Sequence, residues 1–152
     1  MIKLLFVCHG NICRSPMAEF VMKRMVKEKG LEKDFVIASA ATSREELGNP
    51  VYPPARRKLL EHGISCSGKT ARQMTAEDYE FYDDILIMDR NNERNLRRIV
   101  RSDPQHKIRR LMDYTDRPRD VADPWYTGDF EQTWQDINEG CRALLDAILS
   151  GS

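Results

Sequence analysis

The chain has 152 residues, 41% of them apolar, which is enough for one globular domain with its own core. Lysine plus arginine equals aspartate plus glutamate at 24 each, so the overall balance points to neither nucleic acid nor an anionic membrane as the main partner. The apolar run at the N-terminus is too short for a signal peptide or a spanning helix, and the four cysteines, Cys8, Cys13, Cys66 and Cys141, read as reduced thiols in a cytoplasmic protein.

Ile2 to Val7 is a compact apolar run with one charge, as in a strand buried on both faces of a parallel sheet. A loop containing Gly10 follows, and then a helix whose start is marked by Ser15 as N-cap and Pro16 at the first helical position. Met17, Phe20, Val21 and Met25 recur at helical spacing up to Gly30. Phe35 to Ala38 predicts a second strand, completing a βαβ unit, with Ser39 to Thr42 as its exit. Pro53-Pro54 opens another helix that stops at His62-Gly63, and Thr75 with Asp78 starts a short one. Strands over Asp84 to Met88 and Ile108 to Met112 flank a helix over Asn92 to Val100, and Phe130 to Leu149 forms the last helix. The alternation predicts a single-domain α/β fold, a doubly wound four-stranded parallel sheet with helices on both faces and the ligand site at the carboxyl ends of the strands. Cys8 stands at such an end.

The segment from Cys8 to Ser15 places a thiol, five intervening residues and then an arginine just ahead of a helix N-terminus. A loop folded around an anion turns its backbone N–H groups inward, and the helix adds unpaired amides and the positive end of its dipole. Phosphate suits that environment, and the same field favours a thiolate, which makes Cys8 the expected nucleophile. Arg14 is expected to grip two phosphoryl oxygens in a bidentate fork, more strongly as charge gathers there in the transition state. The phosphate-binding segment is thus His9, Gly10, Asn11, Ile12, Cys13, Arg14 and Ser15, with the Ser15 hydroxyl placed to donate to the Cys8 sulfur. Alone, the Cys-x5-Arg spacing is weak; the preceding strand, Gly10 and Ser15-Pro16 give it meaning.

A weakly acidic alcohol or phenol leaving from phosphorus at neutral pH benefits from a proton donor. The loop before the last helix offers Asp116, Asp120, Asp123 and Asp129, and spacing does not choose among them.

The run from Val7 to Glu19 closely resembles the N-terminal signature of the low-molecular-weight protein tyrosine phosphatases. Ser39-Ala40-Ala41, His62-Gly63-Ile64, Ala71-Arg72-Gln73, Met88-Asp89 and Asp123-Pro124 extend the likeness along the chain. The resemblance implies hydrolysis of aryl phosphomonoesters such as phosphotyrosine through a phosphocysteine, with no metal and no cofactor. Its general acid is the Asp of an Asp-Pro pair followed by aromatics, which selects Asp123. It makes Trp125 and Tyr126 one wall of the substrate cleft, although either aromatic also suits a loop anchor. It gives Asn11 a strained, left-handed place in the loop, bonded to Ser39. It suggests a protective Cys8–Cys13 disulfide under oxidants; packing behind the loop is the other reading of Cys13.

Two departures stand out. Glu45 occupies the second wall of the cleft where the family commonly has an aromatic residue, which shifts the expected preference toward basic surroundings of the phosphotyrosine. Lys69 stands where the family histidine supports the loop. The basic run from Arg90 to Arg110 reads as the wet face of a helix and its exit. The expected partner is a phosphotyrosine-containing protein or peptide, met by a monomer, with no nucleic acid or membrane involved. Competing readings are a protein-arginine phosphatase, an arsenate reductase-like enzyme and an inactive phosphate-binding module. The absence of a cysteine between Cys66 and Cys141 argues against the reductase.

Overall fold

The computed structural model describes residues 1–151. Strands β1 (Ile2–Cys8), β2 (Phe35–Ala41), β3 (Asp84–Ile87) and β4 (Ile108–Arg110) form one parallel sheet in the order β2-β1-β3-β4. Because successive strand residues face opposite sides, each central strand feeds two cores. Leu4, Phe6, Leu86 and Met88 pack on one face beneath α1 (Arg14–Glu28), α2 (Pro53–Glu61) and α6 (Phe130–Leu149). Leu5, Val7, Ile85 and Ile87 pack on the other, against Tyr79 of α3 (Ala76–Phe81) and Leu96 of α4 (Arg90–Leu96). Side chains such as Phe6, Met17 and Leu86 have no exposed surface, and burial of each stabilises the fold by about 1.5–3 kcal/mol.

The chain leaves β1 for β2 on one side and returns to β3 on the other, so the topological switch point lies at the carboxyl end of β1, where Cys8 sits. The predicted doubly wound architecture is the one observed, with boundary differences that bear on the site. α1 begins at Arg14 with Cys13 as N-cap, ahead of the predicted Ser15, and no side chain caps it. That frees the Ser15 hydroxyl for another partner. β2 continues through Ala41, so Ser39 lies inside a strand and is held by its ladder to β1, opposite Phe6. α4 starts at Arg90 because Asp89 and Asn92 form a reciprocal capping box, and it ends at Leu96, short of Val100. β4 stops at Arg110, where a 3-10 turn over Leu111–Tyr114 takes over. A one-turn helix absent from the sequence reading, α5 (Pro124–Thr127), carries the two cleft aromatics. Among the described residues no helix is long and apolar enough to cross a membrane.

Candidate active site

Cys8 ends β1, 3% exposed, at the floor of a cavity of about 350 Å³ whose lining includes Ile12, Cys13, Arg14 and Asp123. The start of α1 aims at its sulfur. Pro16 has no N–H to leave unpaired in the first turn, and the Ser15 N–H lies 3.4 Å from Cys8 Sγ. Ser15 Oγ is closer, at 3.0 Å. The Asn11 side-chain amide occupies a lone pair of that hydroxyl. Its Nδ2 donates to Ser15 Oγ at 2.7 Å and to Ser39 Oγ at 2.9 Å, so the Ser15 proton is left for the Cys8 sulfur at 3.0 Å or the Ala40 carbonyl at 3.4 Å, and the Ser39 proton goes to Glu19 Oε1 at 2.5 Å.

Asn11 itself has φ 58°, in the left-handed region that few residues other than glycine tolerate. Its side-chain Oδ1 accepts the Arg72 backbone N–H at 3.2 Å, and Arg72 is in turn tied to β2 by its main-chain carbonyl, which accepts from Ala41 N at 2.7 Å. Three side-chain bonds, to Ser15, Ser39 and Arg72, therefore hold the strained residue in place. Thr42 N–H and Ser43 N–H donate to the carbonyls of Cys8 and His9, which anchors the entrance of the loop to the exit of β2.

Arg14 is 2% exposed and reaches back across the loop mouth. Its Nη1 donates to Asp89 Oδ2 at 2.6 Å and to the Val121 carbonyl at 2.8 Å, and its Nη2 lies 3.4 Å from Asp123 Oδ2. Burial by itself pushes the guanidinium pKa down, and the Cys8 sulfur with the carboxylates of Asp89 and Asp123 pushes it up by more, so Arg14 stays a cation. Both carboxylates are divided the same way. Asp89 Oδ1 caps α4 through Asn92 N–H, and Asp123 Oδ1 caps α5 through Trp125 N–H, which leaves each Oδ2 for Arg14. Burial raises the pKa of Cys13, and the neighbouring Cys8 and Asp123 raise it further, so this second thiol is held protonated. All four cysteines are free thiols.

The mouth of the cavity is formed by His9, Gly10, Glu45, Glu46, Trp125 and Tyr126. Trp125 is 54% exposed and leans on Tyr52, ring centroids 4.8 Å apart, while Tyr126 is 84% exposed. Tyr52 also donates its backbone N–H to the Ile12 carbonyl, linking the aromatic wall to the loop. The residues of the phosphate loop, Glu45, Asp123, Trp125 and Tyr126 line this cavity or, as with Asn11, Ser15 and Ser39, lie behind it, whereas the rival aspartates Asp116, Asp120 and Asp129 do not line it.

Three functional contacts escaped the sequence reading. Asp89, quoted only as part of a matching stretch, is the closest carboxylate to Arg14; its place just past β3, at the ligand edge of the sheet, was the available signal. Glu19, 4% exposed, interrupts the apolar stripe of Met17, Ala18, Val21 and Met22, and a carboxylate in such a stripe needs a partner. It has two, Lys23 Nζ at 2.6 Å and Lys69 Nζ at 3.6 Å, and Lys69 also donates to the Ser39 carbonyl at 2.9 Å. The lysine that replaces a histidine in the resemblance thus braces Ser39 from behind. The third is the Arg72 backbone, which no side-chain pattern reveals. Glu19→Ala is expected to lower stability by about 3–5 kcal/mol, because it strands Lys69 without its buried counter-ion and Ser39 without its acceptor. Urea midpoints at constant m-value measure it, and a change under about 1 kcal/mol would show that the pair is not structural.

A buried sulfur at the switch point, faced by a helix N-terminus and an ion-paired arginine, is the arrangement of the cysteine-dependent phosphatases built on a doubly wound sheet. Comparison with known proteins narrows this. The family described as low molecular weight phosphotyrosine protein phosphatase matches residues 3–151. Low molecular weight protein-tyrosine-phosphatase YfkJ of Bacillus subtilis is 41% identical over 150 residues, covering 97% of this chain and 96% of its own. The crystal structure of YfkJ superposes with a TM-score of 0.96 over 100% of this chain and 97% of that one, at 40% identity. The low molecular weight phosphotyrosine protein phosphatase of Homo sapiens is 39% identical over 94% of this chain and 93% of its own. A crystal structure of DARP, drosophila arginine phosphatase, is 30% identical, with a TM-score of 0.88 over 97% of this chain and 98% of that one. The chain belongs to the low molecular weight phosphotyrosine protein phosphatase family, a family of cysteine-dependent hydrolases.

Proposed function

We propose that this protein hydrolyses phosphotyrosine in proteins or peptides, with Cys8 as nucleophile, Arg14 as phosphate clamp and Asp123 as general acid and base. The observation that carries the reading is the Ser15 hydroxyl 3.0 Å from the Cys8 sulfur at the floor of a cavity that Arg14 and Asp123 also line.

The sulfur attacks phosphorus in line with the tyrosyl oxygen, an S–P bond forms and the P–O bond to the ring breaks. Asp123 Oδ2 supplies the proton that the departing phenolate takes up, since Oδ1 is committed to the Trp125 N–H. A water then attacks the phosphocysteine, gives its proton to the same carboxylate, and the S–P bond breaks to release phosphate. Ser15 donates to the sulfur as it leaves. Arg14, held in orientation by Asp89 and the Val121 carbonyl, stabilises charge on the equatorial oxygens in both steps. Asn11, Ser39 and the loop amides from His9 to Ser15 keep the cup in shape. Trp125, backed by Tyr52, gives the phenyl ring a flat apolar neighbour. We read the chain as one catalytic domain, since the loop after β1 and the acid before α5 meet over one sheet, and as cytoplasmic, which its four free thiols support.

Rates on phosphotyrosine, phosphoarginine and phosphoserine versions of one peptide test the substrate. The phosphotyrosine peptide is expected to turn over at least tenfold faster than either other. Faster hydrolysis of the phosphoarginine peptide would move the assignment to an arginine phosphatase.

A further inference from the structure

The charges around the cavity are one-sided. Three carboxylates line it, Glu45, Glu46 and Asp123, against a single permanent cation, Arg14. Arg14 is buried and already engaged by Asp89 and Asp123, so it offers nothing to a substrate beyond the phosphoryl group. At the rim the imbalance is complete: among the described residues neither Glu45 nor Glu46 is paired with a lysine or arginine. Glu45 has 67% of its side chain exposed and is held by His9 Nε2, a contact that joins the loop after β2 to the second residue of the phosphate loop. That contact keeps the carboxylate over the mouth. Glu46 packs beside Gly10, with its Cγ 3.4 Å from where a glycine Cβ would stand, and it accepts from Asn49 Nδ2 at 3.2 Å.

A peptide threading its phosphotyrosine to the cavity floor must lay its neighbouring residues across this rim. Acidic neighbours meet two carboxylates, and basic neighbours find two that no lysine or arginine of the described residues pairs with. Resting on the phosphatase reading, we infer that the substrates of this enzyme carry lysine or arginine beside the phosphotyrosine, and that Glu45 and Glu46 select them. The selection is a property of the rim, separate from the chemistry on the floor.

Three phosphotyrosyl peptides that differ only in having Lys, Gln or Glu on both sides of the phosphotyrosine provide the test, with p-nitrophenyl phosphate as the flank-free reference for each variant. Each exposed pair contributes a modest factor, so kcat/KM is expected to fall about 5- to 20-fold from the Lys to the Glu peptide at low salt, and the ratio to shrink as ionic strength rises. Glu45→Gln should bring the ratio toward one, and the double change Glu45→Lys with Glu46→Lys should invert it. Equal rates on all three peptides, or a Lys preference that persists in the double variant, would overturn the inference and leave the phosphatase reading intact. Failure to hydrolyse any of the three would overturn the phosphatase reading itself, and this inference with it.

Discussion

Replacing Cys8 by serine is expected to reduce turnover of any aryl phosphate by a factor on the order of 10⁴ or more, while inorganic phosphate still binds. The two halves of this result come from different parts of the site. Turnover needs a nucleophile that also leaves; a serine hydroxyl, un-ionised at neutral pH, attacks poorly, and its alkoxide is a poor leaving group. Binding depends on the loop, on the start of α1 and on Arg14, whose orientation comes from Asp89 and Val121 and not from the sulfur. Serine is close to cysteine in shape, and Ser15 Oγ still has a partner beside it. Phosphate release assays measure the first half and isothermal calorimetry with phosphate the second. Residual turnover within a hundredfold of the parent would mean that the nucleophile lies elsewhere.

Replacing Asp123 by asparagine is expected to slow hydrolysis of tyrosyl phosphate by about 10²- to 10⁴-fold, and that of esters with acidic phenols, such as p-nitrophenol, much less. Asparagine is the informative change because Asp123 has a second task beside the proposed proton transfer. Its Oδ1 caps α5 at the Trp125 N–H, and asparagine caps as well as aspartate does. The aromatic wall should therefore stay in place while the transferable proton is lost. Alanine would remove both, mixing a loosened Trp125 into the rate. Plots of log kcat against leaving-group pKa for parent and variant read the difference: a steeper dependence in the variant is expected, and parallel lines would show that Asp123 does not protonate the leaving group.

The fold was legible because its signals are local and periodic. The apolar runs of β1 and β3, the Ser15-Pro16 helix start and the stripe of α6 each point to one kind of element, and their alternation allows few topologies. Boundaries drifted where side chains compete for helix ends. α4 begins at Arg90 because Asp89 caps it, and α1 begins before Ser15 because the Ser15 hydroxyl serves Cys8 instead of the helix backbone. The phosphate loop was legible for a similar reason: Cys8, Arg14 and Ser15 lie within eight consecutive residues, where spacing alone carries geometry. Asp123 was not, since four aspartates in one loop are equivalent until tertiary structure brings one to Arg14, and only the family likeness singled it out. Asp89, Glu19 and the Arg72 backbone act across 75, 20 and 61 residues of chain, on Arg14, Ser39 and Asn11 respectively, and no local pattern encodes such pairings.

The left-handed turn at Asn11 is held by groups from outside its own loop: a serine within β2 and a main-chain amide of the segment laid alongside that strand. An isolated peptide copying the loop would lack both and relax into ordinary conformers. On the proposed function, anion affinity would then belong to the assembled sheet and not to the loop sequence, and a step that peeled β2 away from β1 would take both supports of Asn11 with it.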